Sequence, residues 1–156
     1  MPNPKDKISV GRANPYGINY LYLSEDIDTV IAEIRPIRHS LVTIGKFQVL
    51  HDIKVVKLPD ITVHSDETIC YLAFLLGMRF SQPVNGNSNE MDYLTTQYFA
   101  ELCKYKGYDG IKFLSSVMNN DEHPHYNVTL FYDHYTKCVS KRVCSVININ
   151  YEYQFI

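Results

Sequence analysis

The chain has 156 residues, the length of a single domain, of which 46% are hydrophobic and 21% charged. This composition is typical of globular proteins that bury a core. The formal net charge of −2 argues against a dedicated binder of duplex nucleic acid, which usually carries a basic face. No apolar run is long enough to span a bilayer, and the first ten residues lack the apolar stretch of a signal peptide. We therefore expect a cytoplasmic protein with one domain over residues 1–156 and a polar lead-in at 1–10.

The first forty residues predict a loop, a strand and a helix, in that order. Glycine, asparagine and proline in residues 11–17 are typical of a loop. The sequence NYLYLS at 19–24 alternates in polarity at its start and predicts a short strand. Ser24 is predicted to cap the following helix, and Pro36 to end that helix near Arg35.

The middle of the chain predicts two strands, a helix and a long loop. Residues 40–47 and 52–58 are rich in strand-forming residues and predict two strands joined by a short turn. Residues 66–80 carry apolar side chains at helical spacing. The sequence SQPVNGNSN at 81–89 is the most loop-like of the chain, and we expect a flap near a site there.

The last third predicts a second clear helix and three strands. The helix covers 93–105, and Gly107 fits its C-terminal cap. Strands are predicted at 111–114, 128–132 and in the tail at 143–155. Because strands and helices mix without a regular βαβ alternation, the expected class is α+β.

Two charged residues near the N-terminus could carry chemistry. Arg12 lies in the loop between Gly11 and Gly17, where glycines would let a ligand approach the backbone, and its planar guanidinium suits a phosphate. Glu33 lies near the end of the first helix. Both residue types are mostly solvated in proteins, so each is also compatible with an ordinary surface position.

Tyr22 and the serines at 115 and 116 form a second group. The ring of Tyr22 could stack on a flat heterocycle or simply be half-buried in a sheet. Ser115 and Ser116 end a predicted strand, with no histidine nearby in sequence and no G-x-S-x-G motif. We therefore expect a hydrogen-bond donor there rather than a nucleophile, or a simple strand-end cap. His123 and His125 lack the further ligands that a metal site needs, so no metal is expected.

In combination, four segments resemble the RES domain family, which is named for its Arg, Glu and Ser. The opening block is GRANPYGINYLYLSEDIDTVIAEIRP at 11–36, followed by VTIGKFQVL and HDIKVVKL at 42–58. The closing block is YLTTQYFAELCKYKGYDGIKFLSS at 93–116, and NVTLFY at 127–132 resembles the strand after it. The resemblance covers residues 11 to about 132.

The resemblance implies an ADP-ribosyltransferase-like fold, with a split, mostly antiparallel β-sheet that holds NAD⁺ and has flanking helices. It implies a toxin of a bacterial toxin–antitoxin pair, or a similar defence protein, that cleaves the nicotinamide–ribose bond of NAD⁺ by hydrolysis or phosphorolysis. NAD⁺ would be the substrate, inorganic phosphate a second ligand in some members, and a helix-turn-helix antitoxin the protein partner. The resemblance implies neither a membrane nor direct nucleic acid as partner.

The same resemblance implies roles for individual residues. Glu33 would stabilise the positive charge that develops on the ribose. Arg12 would hold the pyrophosphate or a ribose hydroxyl, and Tyr22 would stack against nicotinamide. Ser115 would bind the nicotinamide ribose or amide. The further candidates for polar contacts with the substrate are Ser116, as the alternative to Ser115, and Asn14 and Asn127.

Other functions remain compatible with these residues. The acceptor of the ADP-ribose can be water, phosphate or a protein, because all three reactions share one bond cleavage. A non-catalytic binding or regulatory module would retain the fold without turnover. An RNA-directed toxin is disfavoured by the absence of a basic face.

Overall fold

The computed structural model describes residues 9–58, 67–82, 93–118 and 123–149. Within these ranges the chain forms six strands and three α-helices. The strands are β1 Leu21–Ser24, β2 Leu41–Val49, β3 Val55–Lys57, β4 Gly110–Leu114, β5 Tyr126–Leu130 and β6 Thr136–Ser145. The helices are α1 Ile27–Ile34, α2 Glu67–Ser81 and α3 Leu94–Tyr105.

The main sheet has the strand order β1-β5-β4-β3. Its neighbours are antiparallel except for β3 and β4, which are parallel. Strands β4 and β5 are largely buried, as expected for central strands. In the register of this sheet, Ser24, Asn127 and Phe113 lie side by side on three adjacent strands. This row brings polar side chains from distant parts of the chain to one position on the sheet.

Helices α2 and α3 pack against β4 and cover the core. Phe80 of α2 is fully buried, and its ring centroid lies 5.1 Å from that of Phe113 and 6.1 Å from that of Phe99. Such tilted aromatic pairs add to the stabilisation from buried area. The buried core residues are Ala13, Tyr20, Leu58, Phe80, Ala100, Cys103, Ile111, Phe113 and Phe131. The packing of α3 matters for the site, because the same helix also contacts the loop of Arg12.

A second sheet consists of β2 and β6 alone. The two strands are antiparallel and pair from Leu41 with Ser145 to Val49 with Thr136, with a bulge between Lys46 and Phe47. The predicted strands at 40–47 and 52–58 correspond to β2 and β3, which are joined by a short connection. The two strands do not pair with each other, because β3 pairs with β4 in the other sheet. The last strand also begins earlier than the predicted 143–155, and residues 150–155 lie outside the described part of the chain.

Helix α1 begins and ends with local backbone features that differ in part from the prediction. Its N-cap is Asp26, whose carboxylate accepts from the backbone N–H of Thr29 at 2.7 Å. The prediction that Ser24 is the cap is wrong, because pairing with β5 keeps Ser24 in strand β1. The helix ends before Arg35, as predicted from Pro36.

Substitution of Asp26 by alanine should lower the free energy of unfolding by about 1 kcal/mol, the usual effect of losing an N-cap side chain. The pKa of Asp26 is lowered, first by the hydrogen bond from the Thr29 backbone, so its stabilising effect is present above the ordinary carboxyl pKa of 3.8 and declines as the pH falls below it. Denaturant unfolding at several pH values measures this difference. Asp28→Ala, in the exposed first turn of the same helix, is the control, and an equal loss in both variants would contradict the capping role.

The fold class agrees with the expectation of α+β, with two mostly antiparallel sheets and flanking helices. The predicted loop at 81–89 falls mainly outside the described residues, since Ser81 ends α2 and only Gln82 follows in the described range. In the described ranges, none of the helices combines the length and the apolar character needed to cross a membrane.

Candidate functional site

The loop of Arg12 is built around the buried side chain of Asn14. The Asn14 amide donates to the carbonyls of Ser9 at 3.1 Å and Ile18 at 2.9 Å, which closes the loop on itself. Gly11 is required here, because a Cβ at that position would lie 2.7 Å from the hydroxyl oxygen of Tyr22. The two segments can approach this closely only without a side chain at position 11.

The start of helix α3 holds the same loop from the other side. The hydroxyl of Thr96 donates to the carbonyl of Arg12 at 2.6 Å. The side-chain amide of Gln97 donates to the carbonyls of Gly11 at 3.0 Å and Asn14 at 3.1 Å. These bonds fix the backbone from which the guanidinium of Arg12 projects.

Tyr22 uses its hydroxyl inside the protein and leaves much of its side chain exposed. The hydroxyl donates to Oδ1 of Asn14 at 2.7 Å and accepts from the backbone N–H of Ala13 at 3.0 Å. Loss of solvent around the hydroxyl raises the pKa of Tyr22 to about 12, so the phenol is protonated at neutral pH. The residue is nevertheless 45% exposed. Tyr22 therefore offers a fixed aromatic surface rather than a titrating group.

Glu33 is held by two side chains, one from the residue that follows β4 and one from β5. Its Oε1 accepts from the hydroxyl of Ser115 at 2.8 Å and from the amide of Asn127 at 2.5 Å. The amide is oriented in turn, because Oδ1 of Asn127 accepts from the hydroxyl of Ser24 at 2.5 Å. No hydrogen bond from a described residue reaches Oε2 of Glu33. Among the described residues, the side chains thus anchor one carboxylate oxygen of Glu33 and not the other.

Arg12, Tyr22 and Glu33 line one cavity of about 440 Å³, within the range of about 300–1,000 Å³ typical of small-molecule sites. Its wall combines charged and polar side chains with aromatic and aliphatic ones. The residues that line it are Arg12, Tyr22, Leu23, Ser24, Val30, Glu33, Ile34, Arg35, Tyr93, Phe113 and Asn127.

The charge of Glu33 acts on Arg12 across this cavity. Burial lowers the pKa of the Arg12 guanidinium, and the largest opposing influence is the attraction of Glu33. Arg12 also donates from Nη2 to the carbonyl of Gln82 at 2.6 Å. A partly desolvated guanidinium beside a carboxylate forms a site with both signs of charge, in which electrostatic interactions are stronger than in bulk water.

The predicted site residues fall into two groups. Arg12, Tyr22, Glu33 and Asn127 contribute to the cavity wall. Ser115 and Asn14 are 1% and 3% exposed and do not line the cavity; their side chains instead hold Glu33 and Tyr22. Ser116 is also not among the described residues of the cavity wall.

Sequence reasoning missed two large side chains of the cavity. Tyr93 stands immediately before α3, at the start of a helix that the sequence does predict. Arg35 ends α1 and lies two positions after Glu33. The E-I-R-P segment was a visible signal for Arg35, but only the fold shows that its side chain lines the same cavity as Arg12.

His125 has a structural partner beside the cavity. Its Nδ1 lies 3.1 Å from Oδ2 of Asp26 and 3.1 Å from Oγ1 of Thr29, while its carbonyl accepts from the Ser115 backbone N–H at 2.7 Å. These contacts connect the start of α1 to the segment that follows β4, where Ser115 lies. Within the described ranges, no group of at least three His, Cys, Asp or Glu side chains could hold a metal ion.

The fold and the cavity together define an α+β domain in which side chains at the ends of strands hold a carboxylate at the wall of a cavity of small-molecule size. The RES domain family model matches residues 2–152, nearly the whole chain, and the chain belongs to the RES domain family. At the level of the family, this membership indicates NAD-related enzymatic activity of a toxin-like kind. Comparisons with curated proteins and with solved structures gave no match.

Proposed function

We propose that this protein cleaves the nicotinamide–ribose bond of NAD⁺. The observation that carries the proposal is the position of Glu33. Ser115 and Asn127 hold one of its carboxylate oxygens, and the carboxylate lies at the wall of a cavity that also contains an arginine and an aromatic ring. Membership of the RES family, whose activity is NAD-related, supports the choice of NAD⁺ as the substrate we propose.

The chemistry of the bond suits this arrangement. When the bond between the ribose C1′ and the nicotinamide nitrogen breaks, the electron pair leaves with nicotinamide, which becomes neutral. Positive charge then develops on the ribose, as in glycoside hydrolysis. A carboxylate that is already positioned stabilises this charge without reorganising. Oε2 of Glu33 would face the ribose, while Oε1 stays on Ser115 and Asn127.

Arg12 and Tyr22 would bind the rest of the substrate. A guanidinium forms bidentate hydrogen bonds with phosphate oxygens, so Arg12 would hold the pyrophosphate. The Tyr22 ring would stack on nicotinamide, since its hydroxyl is already engaged with Ala13 and Asn14. In this scheme Ser115 orients Glu33 and does not need to reach the substrate.

The reaction is completed by an acceptor that adds to C1′. Water would yield ADP-ribose, inorganic phosphate its phosphorylated form, and a protein nucleophile an ADP-ribosylated side chain. Depletion of NAD⁺ accords with a toxin of a toxin–antitoxin pair, and we propose a helix-turn-helix antitoxin as its partner on the basis of the family.

The direct test is incubation of the purified chain with NAD⁺, with and without inorganic phosphate. We expect release of nicotinamide, and identification of the second product by mass distinguishes the three acceptors. A preparation that neither binds NAD⁺ nor releases nicotinamide under either condition would refute the proposal.

Two substitutions of Tyr22 separate its ring from its hydroxyl. Tyr22→Leu should raise the KM for NAD⁺ about tenfold, because stacking on an aromatic side chain contributes about 1–3 kcal/mol. Tyr22→Phe keeps the ring and should leave KM within a few-fold of the original. It should lower the free energy of unfolding by about 1–3 kcal/mol, because Ala13 and Asn14 lose their hydrogen-bond partner. Initial rates and denaturant unfolding measure both effects, and an unchanged KM for Tyr22→Leu would rule out stacking.

A further inference from the structure

Arg35 has an unusual backbone conformation at the edge of the cavity. As the C-cap of α1, it has φ 46° and ψ 56°, in the left-handed region. This region favours glycine or asparagine, and the following residue, Pro36, further disfavours a helical conformation at position 35. Such strained positions cost about 1–3 kcal/mol and cluster at functional sites. Because glycine or asparagine would suit this backbone better, the arginine side chain itself must have a role at position 35.

The Arg35 side chain contributes a second positive charge to the cavity wall. Among the described residues, none forms a hydrogen bond or ion pair with its guanidinium. The charged residues of the wall are Arg12, Arg35 and Glu33, which leaves a formal charge of +1, whereas the chain as a whole carries −2. Arg12 and Arg35 line the same cavity, and the positive charge of Arg35 is the smallest of the influences on the lowered pKa of Arg12. An anion between them would relieve the repulsion between the two like charges.

The favourable charge at the C-terminus of α1 does not by itself explain an arginine at position 35. A cation at a helix C-terminus is favourable by about 0.3–1 kcal/mol, which is no more than the backbone conformation costs. A lysine or arginine one turn earlier would give the same benefit without strain, but the last turn of α1 holds no basic residue. At the end of α1, in contrast, Arg35 is one of the residues that line the cavity.

We propose that Arg35 and Arg12 together form a phosphate subsite of this cavity. The inference rests on the proposed cleavage of NAD⁺ and adds to it the residue that recognises phosphate beside Glu33. Two planar guanidiniums can each bind two oxygens of a phosphate group. The phosphate can be the pyrophosphate of the dinucleotide or the free inorganic phosphate that acts as acceptor.

Binding measurements distinguish these two sources without relying on turnover. Isothermal titration of the purified chain with ADP-ribose, which retains the pyrophosphate, and separately with inorganic phosphate would be repeated with Arg35→Asn and Arg35→Lys. Asparagine tolerates the left-handed conformation, so Arg35→Asn should unfold at the same temperature or higher. The control is Arg38→Asn, whose arginine does not line the described cavity and donates to the carbonyl of Ile147.

We expect Arg35→Asn to weaken binding about tenfold or more, equivalent to about 1.4 kcal/mol, and Arg35→Lys to weaken it less. Weaker binding of ADP-ribose assigns Arg35 to the pyrophosphate, and weaker binding of inorganic phosphate alone assigns it to the acceptor. Equal affinities in the original chain and Arg35→Asn, or no binding of either probe by the original chain, would overturn the subsite. If the original chain binds ADP-ribose or phosphate in a manner that depends on Arg35 but releases no nicotinamide from NAD⁺, only the proposed reaction is contradicted.

Discussion

Replacing Glu33 by glutamine is expected to lower the rate of NAD⁺ cleavage by about 10²-fold or more, the usual effect of removing a preorganised electrostatic group. The glutamine Oε1 can still accept from Ser115 and Asn127, so the side chain should keep its position. The change removes only the negative charge that would stabilise the ribose in the transition state. Initial rates of nicotinamide release measure the loss, and thermal unfolding should remain close to that of the original chain.

A matched control and a double variant sharpen this result. Asp28→Asn removes a charge from the exposed first turn of the same helix and should leave the rate unchanged. Ser115→Ala should also lower the rate, because Glu33 loses one of its two described donors. If Ser115 acts through Glu33, the double variant Ser115→Ala with Glu33→Gln should be no slower than Glu33→Gln alone. Full activity in Glu33→Gln would exclude the role proposed for this carboxylate.

Replacing Arg12 by glutamine should lower kcat/KM for NAD⁺ by about 10- to 100-fold. Hydrogen bonds to charged groups contribute about 1.5–3 kcal/mol, and each 1.4 kcal/mol is a factor of ten. Arg12→Lys should recover only part of this loss, because a lysine keeps the charge but not the bidentate geometry. The fold should tolerate both changes, since Thr96 binds the backbone carbonyl at this position and not the guanidinium.

The neighbouring Arg79 provides the control for Arg12. Both arginines contact Gln82, Arg12 through the backbone carbonyl and Arg79 through the side chain at 3.4 Å. Arg79 is not among the described residues of the cavity wall, so Arg79→Gln should leave kcat/KM unchanged. An equal loss of kcat/KM in Arg12→Gln and Arg79→Gln would show that the effect comes from the overall positive charge of the chain and not from a contact between Arg12 and the substrate.

Several elements could be predicted because their signals are local. Alternating polarity located β1 and the turn signal at 107–110 located β4, each to within one or two residues, and helical spacing located α2 and α3. Pro36 marked the end of α1. In each case the residues that determine the structure are neighbours in sequence, so pattern alone was sufficient.

Other elements depend on partners that are distant in sequence. Strand β6 contains three positively charged side chains and alternates only weakly, and its order comes from pairing with β2. Asp26 rather than Ser24 caps α1 because Ser24 is paired with Asn127 in the sheet. Neither of these strand pairings can be recognised from the local sequence of the paired segments.

The order of residue types along this chain was by itself enough to predict the α+β class and the resemblance to the RES family, and that resemblance implied the candidate roles of Arg12, Tyr22 and Glu33. Only the tertiary structure decided which residues line the cavity and which are buried partners that hold the lining residues in place. Ser115 and Asn14 became buried hydrogen-bond partners of Glu33 and Tyr22, while Arg35 and Tyr93 joined the cavity wall. The reason is that a side chain's direction follows from strand register, helix ends and backbone conformation, which long-range pairing sets.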